Sequence, residues 1–403
     1  MATTSFLYHS MGVKGYRYLR CEYSGGVISH HVRLRRQERR CRGCGARWHE
    51  ISLGGQFERV FVGLPVGKRS QQIVLHGHIQ LCHRCGKRLR EPILFAEGGR
   101  RYIRALASFV IFLCRKATIK DVSEIVGLGW DSVKEINKGH LRRRLQKRSL
   151  RQVRHIAIDE FAIRKGYKYL TVVLDLDTSQ VLWSAPGRSG ESLIPFLTRL
   201  KRCRVPLQAV AMDMWPAYTK AVQKVFPKVV IVYDPFHIIQ LVNRAIDKAQ
   251  RDLASEIPKA IRRRRGLRFV LLRAGENLHL EGQTLLEELM EINLPLYQAY
   301  LLKEQLRQLW DLNTWFAAAR FLIRWVKQAK AIGITAFAQL ANTLRKHASH
   351  ILAWYKHQIS TGPLEGLNNK IKTLKRQAYG FRDLEYFQLR LAFIHSMTSR
   401  FHG

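Results

Sequence analysis

The chain has 403 residues, of which 46% are hydrophobic, and a formal charge of +39 from 69 Lys and Arg against 30 Asp and Glu. That hydrophobic content is too high for a disordered chain, and the length predicts two to four domains. No stretch reaches the roughly 18 uninterrupted apolar residues of a membrane span, and the first 20 residues lack the pattern of a secretory signal. We therefore expect a cytoplasmic protein with no membrane partner.

The positive charge predicts a polyanionic partner, and nucleic acid is the usual one. The first 150 residues hold 30 Lys and Arg against 10 Asp and Glu, whereas the rest of the chain holds 39 against 20. Because the N-terminal part has the denser charge, we expect it to dominate the electrostatic attraction to a nucleic acid.

Two Cys-x-x-Cys pairs indicate a metal site near the N-terminus. The pairs Cys41–Cys44 and Cys82–Cys85 have the spacing of tetrahedral zinc ligands, and four thiolates close the coordination shell, so we predict one structural Zn²⁺. The alternative is four unrelated free thiols. The gap of 37 residues between the pairs predicts a two-stranded insert. The remaining cysteines are predicted to be ordinary buried residues: Cys21, Cys114 and Cys203.

The pattern then changes from strands to helices. Short strands are predicted within residues 1–35, whereas residues 118–126 and 131–138 predict two helices joined by a glycine-containing turn. This is the arrangement of a helix-turn-helix; an ordinary helical hairpin is the alternative. The second helix would approach base edges with Ser132, Lys134 and Asn137 and hold phosphates with Lys134, Lys138, Arg142, Arg143 and Arg144.

After a basic linker, the composition favours a covered mixed sheet. Strands are predicted at 155–161, 169–175, 181–184, 209–213 and 229–233, and helices at 192–202 and 215–225. Residues 235–355 have a helical, charged pattern. Two last helices are predicted at 363–376 and 384–398.

Carboxylates follow two of these strands. Asp159 ends the first strand and Asp213 the fourth, and in a ribonuclease-H-like sheet those strands are neighbours. Glu365 stands near the start of a late helix, just after a Pro that suits a first helical position. Three such acids can hold two Mg²⁺ ions about 3.5–4 Å apart. Acidic residues at strand ends are common, so the spacing alone does not decide the role of these three.

Four blocks of sequence resemble bacterial insertion-sequence transposases of the DDE type, closest to the ISL-three family. The blocks are Ile158-Asp159-Glu-Phe-Ala with Lys165–Asp175, Ala211–Tyr218, Tyr233–His237 and Gly362–Gly380. The resemblance covers nearly the whole chain, and it implies that Asp159, Asp213 and Glu365 match the family's catalytic triad. The DNA-cleaving and DNA-joining activity is an implication of this resemblance.

The resemblance also implies cofactors and partners. They are two Mg²⁺ per active site, with Mn²⁺ as a substitute, and double-stranded DNA, namely the terminal inverted repeats and the target. A homodimer or larger complex on DNA is expected in the bacterial nucleoid, because two element ends must be handled together. On the late helix, Lys372, Lys375 and Arg376 are predicted to meet DNA.

Several residues keep two interpretations. Asp234 and His237 either support the metal ligands or contact the scissile phosphate, or else they form a helix cap and a packed histidine. Trp310 and Trp315 either stack on a flipped base or belong to a core. The run at 262–265 either contacts phosphates or forms a solvated face.

The predicted fold class is multidomain α+β. A zinc-binding domain (1–98) and a helix-turn-helix domain (99–150) precede a ribonuclease-H-like α/β catalytic domain (151–403) with an all-helical insertion at about 240–355. The leading function is a DDE transposase. The alternatives are a zinc and helix-turn-helix DNA-binding regulator with an inactive catalytic domain, and a metal-dependent nuclease.

Overall fold

A computed structural model describes residues 2–164, 168–258, 266–378 and 380–397. The chain divides into two compact units, one formed by Met1–Arg148 with Leu374–Gly403 and the other by Ser149–Thr373. The arginine run at 262–265 lies outside the described residues, as does part of the Lys165–Asp175 block. The boundaries of the three domains drawn from the sequence stay a prediction.

The described residues form a mixed α+β structure, as predicted. The strands are Tyr16–Ser24 (β1), Val27–Leu34 (β2), Ile51–Val62 (β3), Ser70–Cys82 (β4), Arg88–Arg90 (β5), His155–Arg164 (β6), Lys168–Asp175 (β7), Val181–Pro186 (β8), Ala209–Met212 (β9) and Val230–Tyr233 (β10). The helices that precede β10 in the chain are Ala2–His9 (α1), Arg104–Leu113 (α2), Ile119–Val126 (α3), Trp130–Gln146 (α4), Gly190–Arg202 (α5) and Pro216–Val225 (α6). The later helices are Pro235–Asp252 (α7), Leu267–Leu272 (α8), Leu280–Ile292 (α9), Leu294–Arg307 (α10), Trp315–Ala331 (α11), Thr335–Lys346 (α12), Ala348–Leu352 (α13), Gly362–Gln377 (α14) and Leu384–Ala392 (α15).

The first unit is built on a sheet with the order β1-β2-β4-β3, to which β5 adds on β4. Strands β3 and β4 pair antiparallel between the two cysteine pairs, which confirms the predicted two-stranded insert. The prediction of strand at the extreme N-terminus is wrong for residues 2–9, which form α1. The reason is local: the chain closes helical hydrogen bonds there, such as Ser10 N to Phe6 O, and Leu7 packs into the core.

The helices predicted between residues 118 and 138 are present. Thr118 caps α3 by accepting a hydrogen bond from the Asp121 backbone N–H, and Asp121 accepts one from the Thr118 N–H in return. Gly127 ends α3 in the left-handed conformation, with φ of 65°, which glycine adopts without a Cβ penalty. Buried apolar residues then hold α3 and α4 together: Val122, Val126, Val133 and Ile136.

The second unit contains a sheet with the order β10-β9-β6-β7-β8. Strand β6 runs antiparallel to β7 and parallel to β9, and β9 runs parallel to β10. The five strands and two helices predicted for this region are therefore present, and the predicted adjacency of β6 and β9 is confirmed. The prediction that Asp159 ends its strand is wrong, because β6 stays paired with β7 beyond Asp159 and ends only at Arg164. Strand residues such as Ile156 and Val210 are fully buried, because helices cover the sheet.

Helices α7 to α13 follow β10, and no strand interrupts them in the described part of that stretch. Their apolar faces share one core with the sheet, including Trp325, whose indole N–H donates to the Leu302 carbonyl at 2.8 Å. The final predicted helix is shorter than expected. It ends at Ala392 and is followed by a 3₁₀ turn over Ile394–Met397, while Thr398 lies outside the described residues. Across the described chain, no helix has both the length and the apolar character needed to span a membrane.

Close packing of α5 on α6 generates a stability prediction. Gly190 is buried at the start of α5, and a Cβ there would overlap the carbonyl oxygen of Ala217 on α6. We expect Gly190→Ala to lower the free energy of unfolding by about 1–3 kcal/mol, because the backbone must shift to admit the methyl group. Urea denaturation followed by circular dichroism measures this change.

The matched control is Gly139→Ala in α4. Its Cβ would meet only the Arg143 guanidinium, at 3.7 Å, so the greater helix propensity of alanine should leave stability unchanged or raised. Equal stability of the Gly190→Ala and Gly139→Ala variants would contradict the packing described for α5.

Candidate active site and metal centre

Three aspartates share one edge of the second sheet. Ile158 of β6 pairs with Met212 of β9, and Met212 pairs with Tyr233 of β10. The residues that follow in the three strands are Asp159, Asp213 and Asp234. Because these strands are parallel, the three side chains lie at the carboxyl edge of neighbouring strands, which is where open sheets place their ligands.

The carboxylate of Asp159 is held from two sides. Its Oδ1 accepts a hydrogen bond from the Glu160 backbone N–H at 2.7 Å, and its Oδ2 accepts one from the Asn368 amide at 3.3 Å. Burial, together with the nearby charge of Asp213, raises the pKa of Asp159 despite these bonds. A raised pKa in the folded state means that stability falls as pH rises through it, so ionised Asp159 costs folding free energy at neutral pH. A cation at this edge would offset that cost.

Asp234 joins the sheet edge to the chain segment that precedes α14. It is 1% exposed, and its Oδ1 accepts a hydrogen bond from the Thr361 backbone N–H at 2.9 Å. Its Oδ2 lies 3.0 Å from His237 Nδ1. Although burial opposes ionisation, these bonds lower the pKa of Asp234. The Asp234 carboxylate makes no capping hydrogen bond to α7. Its hydrogen bonds are with His237 and Thr361 instead.

The imidazole of His237 lies beside the three aspartates of this edge. Burial opposes its protonation, but the hydrogen bond with Asp234 and the charges of Asp213 and Asp159 together raise the pKa of His237. The imidazole therefore interacts electrostatically with all three aspartates. These contacts support the interpretation that Asp234 and His237 hold the metal-site residues in place. That interpretation remains a prediction.

Glu365 lies on the exposed face of α14, three residues before Asn368, which contacts Asp159. Residues three apart are neighbours on a helix surface, so Glu365 is carried at the end of α14 that lies near Asp159. In the described residues, the only group of three or more metal-ligating side chains with all ligand atoms within 4.8 Å of one another is a set of four cysteines. Asp159, Asp213 and Glu365 thus do not form so compact a cluster. Their carboxylate oxygens are nevertheless the hard donors that Mg²⁺ prefers.

The cysteine cluster of the first unit consists of Cys41, Cys44, Cys82 and Cys85. The Sγ atoms of Cys41 and Cys85 are 3.7 Å apart, and those of Cys44 and Cys82 are 3.6 Å apart. Sulfurs bound at 2.3 Å around a tetrahedral zinc ion lie about 3.8 Å apart, so the cluster has the size of a zinc site. The alternative of four unrelated thiols is not compatible with this clustering.

Local backbone geometry prepares the sulfurs for a metal. Backbone N–H groups of Cys44 and Gly43 point at the Cys41 sulfur and lower the pKa of that thiol to about 6. At Cys44, the Ala46 N–H acts in the same direction, but burial and the neighbouring sulfurs outweigh it and raise the pKa of Cys44 to about 12. Crowded thiolates repel one another, and a bound cation would remove that repulsion.

The predicted DNA-contacting residues of α4 lie in two different settings. Asn137 and Lys138 are buried: the Asn137 amide donates to the Tyr386 hydroxyl at 2.7 Å, and Lys138 Nζ lies 2.8 Å from Asp383 and 2.9 Å from Glu385. The C-terminal segment therefore occupies this part of α4, a contact between residues some 245 apart that the local pattern did not indicate. Lys134 is half-buried, 3.8 Å from Asp383. The exposed members of the set are Ser132, Arg142, Arg143 and Arg144, and on α14 Lys372 and Arg376, with Lys375 half-buried.

The exposure of their side chains tests the predictions for the remaining cysteines and the two tryptophans. Cys114 is buried as expected, but Cys21 and Cys203 are exposed, so that prediction is wrong for both. Cys21 lies on β1 at a sheet edge, and Cys203 follows the last turn of α5, where no layer covers them. Trp310 packs against the core, whereas Trp315 is 47% exposed.

A further cluster was not identified from the sequence. Arg188, in the loop between β8 and α5, lies close to the rings of Trp215 and Tyr169 and beside Glu160. Glu160 directly follows Asp159. Because the members of this cluster come from four separate segments, no local motif connects them.

Comparison with known proteins places this chain among transposases. The family model of the ISL3 transposases, described as a transposase, matches residues 156–391. The transposase for insertion sequence element IS1001 of Bordetella parapertussis is 33% identical over 94% of this chain and 95% of its own length. The transposase for insertion sequence element IS1557 of Mycobacterium tuberculosis is 30% identical over 57% of each chain.

Among solved structures, the Drosophila P element transposase strand transfer complex matches 73% of this chain and 91% of that chain, with 11% identity and a TM-score of 0.34. A likeness of that size does not establish a shared fold. The family match and the IS1001 relative define the class of protein, which is a transposase. The chain belongs to the ISL3 family of DDE transposases, as the sequence blocks predicted.

The cysteine cluster generates a prediction about metal content. We expect purified protein to hold one zinc ion per chain and Cys44→Ser to lose most of it, because a tetrahedral site needs its fourth thiolate. The melting temperature of the first unit should fall by several degrees with the metal. Metal analysis by mass spectrometry and thermal unfolding give the two readouts.

Cys21→Ser is the matched control, since Cys21 is an exposed cysteine of the same unit outside the cluster. It should keep both the zinc and the melting temperature. A parent protein without zinc, in which all four cluster thiols react freely, would exclude the site.

Proposed function

We propose that this chain binds the terminal inverted repeats of an insertion sequence, cleaves DNA at the ends and joins them to target DNA by two-metal phosphoryl transfer. The observation that carries the proposal is the in-register placement of Asp159, within β6, and Asp213, just after β9, at the point where the parallel pairing of these two strands ends. Family membership supplies the reaction class, and the +39 charge fits a DNA substrate.

Asp159, Asp213 and Glu365 are the residues that would hold the metal. When bound, Mg²⁺ supplies charge stabilisation to the phosphate and activates the attacking oxygen, which is water in cleavage and a 3′-hydroxyl in joining. Asp159 and Asp213 enter from the rigid sheet, whereas Glu365 enters from α14. The site is therefore complete only when α14 stands at the sheet edge.

Two contacts hold α14 at that edge. The Asn368 amide donates to Asp159 Oδ2, which orients the carboxylate and ties the second turn of the helix to β6. The Thr361 N–H donates to the buried Asp234, which fixes the residue just before the helix. We infer that these bonds position Glu365, and that His237 supports the edge through its contact with Asp234. Such positioning is what phosphoryl transfer requires from a protein, because the chemistry is largely geometric and electrostatic.

The first unit would recognise the DNA ends. Its zinc domain and helix-turn-helix carry the denser positive charge, and Arg142, Arg143 and Arg144 are exposed on α4. Because joining needs two ends held together, the active complex would contain at least two chains. Binding should weaken steeply with salt, as expected for phosphate contacts.

Glu365→Gln tests the third carboxylate. The change keeps the shape and removes the charge that holds a metal, so we expect strand cleavage to fall by at least about 1,000-fold while binding to the element's ends stays within about two-fold. Single-turnover cleavage in Mg²⁺ with strand mapping measures the first quantity, and a mobility-shift titration measures the second.

Glu191→Gln is the matched control, because Glu191 is an exposed glutamate in the first turn of α5. It should cleave at the parental rate. Near-parental cleavage by Glu365→Gln would show that another residue is the third ligand, and loss of binding by that variant would show that its role is structural.

A further inference from the structure

Arg188 is held in an aromatic setting beside the carboxylate edge. The centre of its guanidinium lies 4.2 Å from the Trp215 ring and 5.1 Å from the Tyr169 ring. Its Nε lies 3.6 Å from Glu160 Oε2, an ion-pair distance that is too long for a hydrogen bond. Nε itself is buried and has no hydrogen-bond partner among the residues that the structure describes, yet 41% of the side chain is exposed. The aromatic rings thus restrict the position of the guanidinium, but its hydrogen-bonding capacity is not fully used.

The loop that carries Arg188 is tied down at three points. The Gly187 N–H donates to the Tyr169 carbonyl at 2.8 Å, and the Thr171 hydroxyl donates to the Gly187 carbonyl at 2.8 Å. The Trp215 indole N–H donates to the Arg188 carbonyl at 3.3 Å. Gly187 has φ of +99°, a conformation that favours glycine. The position of Arg188 is therefore built into the fold.

This loop lies at the same edge as the aspartates. Trp215 stands two residues after Asp213, and Glu160 directly follows Asp159. The Glu160 carboxylate interacts electrostatically with Asp159, Asp213 and Arg188. A DNA strand whose phosphate reaches the two aspartates would pass close to Arg188.

The chemistry of the guanidinium indicates the ligand. Aromatic rings engage the flat faces of an arginine, while its N–H groups point outward in the plane and form a fork that matches a phosphate. With its guanidinium beside the Trp215 and Tyr169 rings and 41% of its side chain exposed, Arg188 has N–H groups left for a ligand. A single distant carboxylate does not satisfy those groups.

We propose that Arg188 binds a backbone phosphate of the DNA strand held at the Asp159–Asp213 edge. The inference rests on the proposed function, because it takes DNA as the substrate. Tyr169, Trp215 and Glu160 act as positioning residues that fix the guanidinium before DNA arrives. Such preorganisation lowers the entropy that binding would otherwise cost.

The test compares full-length parent, Arg188→Ala and Arg188→Lys on a duplex that carries the element's own end with its flanking DNA. The dissociation constant is measured over a series of salt concentrations, and single-turnover cleavage is measured in Mg²⁺ at saturating DNA. For Arg188→Ala we expect the slope of log K against log salt to fall by about 1, since one phosphate contact is lost. Cleavage should fall about ten- to one-hundred-fold. Arg188→Lys should keep the slope and recover part of the rate.

Two controls separate this inference from the proposed function. Arg202→Ala removes an exposed arginine at the far end of α5 and should match the parent in slope and rate. Asp159→Asn should abolish cleavage with its slope intact; cleavage by this variant at the parental rate would overturn the proposed function, while the slope of Arg188→Ala would still test the phosphate contact.

A parental slope for Arg188→Ala, with cleavage lost or kept, would overturn the proposal and leave Arg188 as a packing residue. A lowered slope with parental cleavage would overturn its placement beside the cleaved strand. Thermal unfolding identifies a misfolded variant, and in that case Arg188→Gln, which keeps much of the side-chain length, provides the same slope measurement.

Discussion

The register of three parallel strands is the constraint on which the candidate active site depends. Ile158, Met212 and Tyr233 lie side by side in β6, β9 and β10, so the acid that follows each of them reaches the same sheet edge. A shift of one residue would turn a side chain to the opposite face and disperse the charges. The fully buried apolar residues of these strands fix that register, which makes the hydrophobic core responsible for the geometry of the acids.

Carboxylates that lie close together at one edge repel one another, and neighbouring residues reduce that repulsion in part. Asp234 is satisfied by His237 and by the chain just before α14, whereas Asp159 has only an amide and a backbone N–H, and its pKa is raised. The remaining negative charge is what would attract divalent cations. The same contacts tie α14 to the sheet, so the residues that stabilise the acids also place Glu365.

Local pattern was enough to predict the strands of the second sheet and the cysteine cluster, whereas the adjacency of β6 and β9 was expected only because a ribonuclease-H-like sheet was assumed. The strands and the cluster follow from hydrophobic periodicity, short spacing and turn glycines. The sequence did not reveal contacts between distant segments: Asp383, Glu385 and Tyr386 on the buried side of α4, Asn368 on Asp159, or Arg188 close to Trp215 and Tyr169. Such pairings are set by tertiary packing, which no local motif encodes. Helix α1 was missed because its short apolar segment resembled a strand.

The claim that Asp159 and Asp213 form a divalent-metal site can be tested directly in crystals soaked with Mn²⁺. We expect an anomalous difference peak within ligand distance of Asp159 and Asp213, distinct from the zinc peak at the four cysteines, and we expect it to vanish in Asp213→Asn. A parent crystal with the zinc peak but with no density between the two aspartates, even with the element's DNA end bound, would contradict the account.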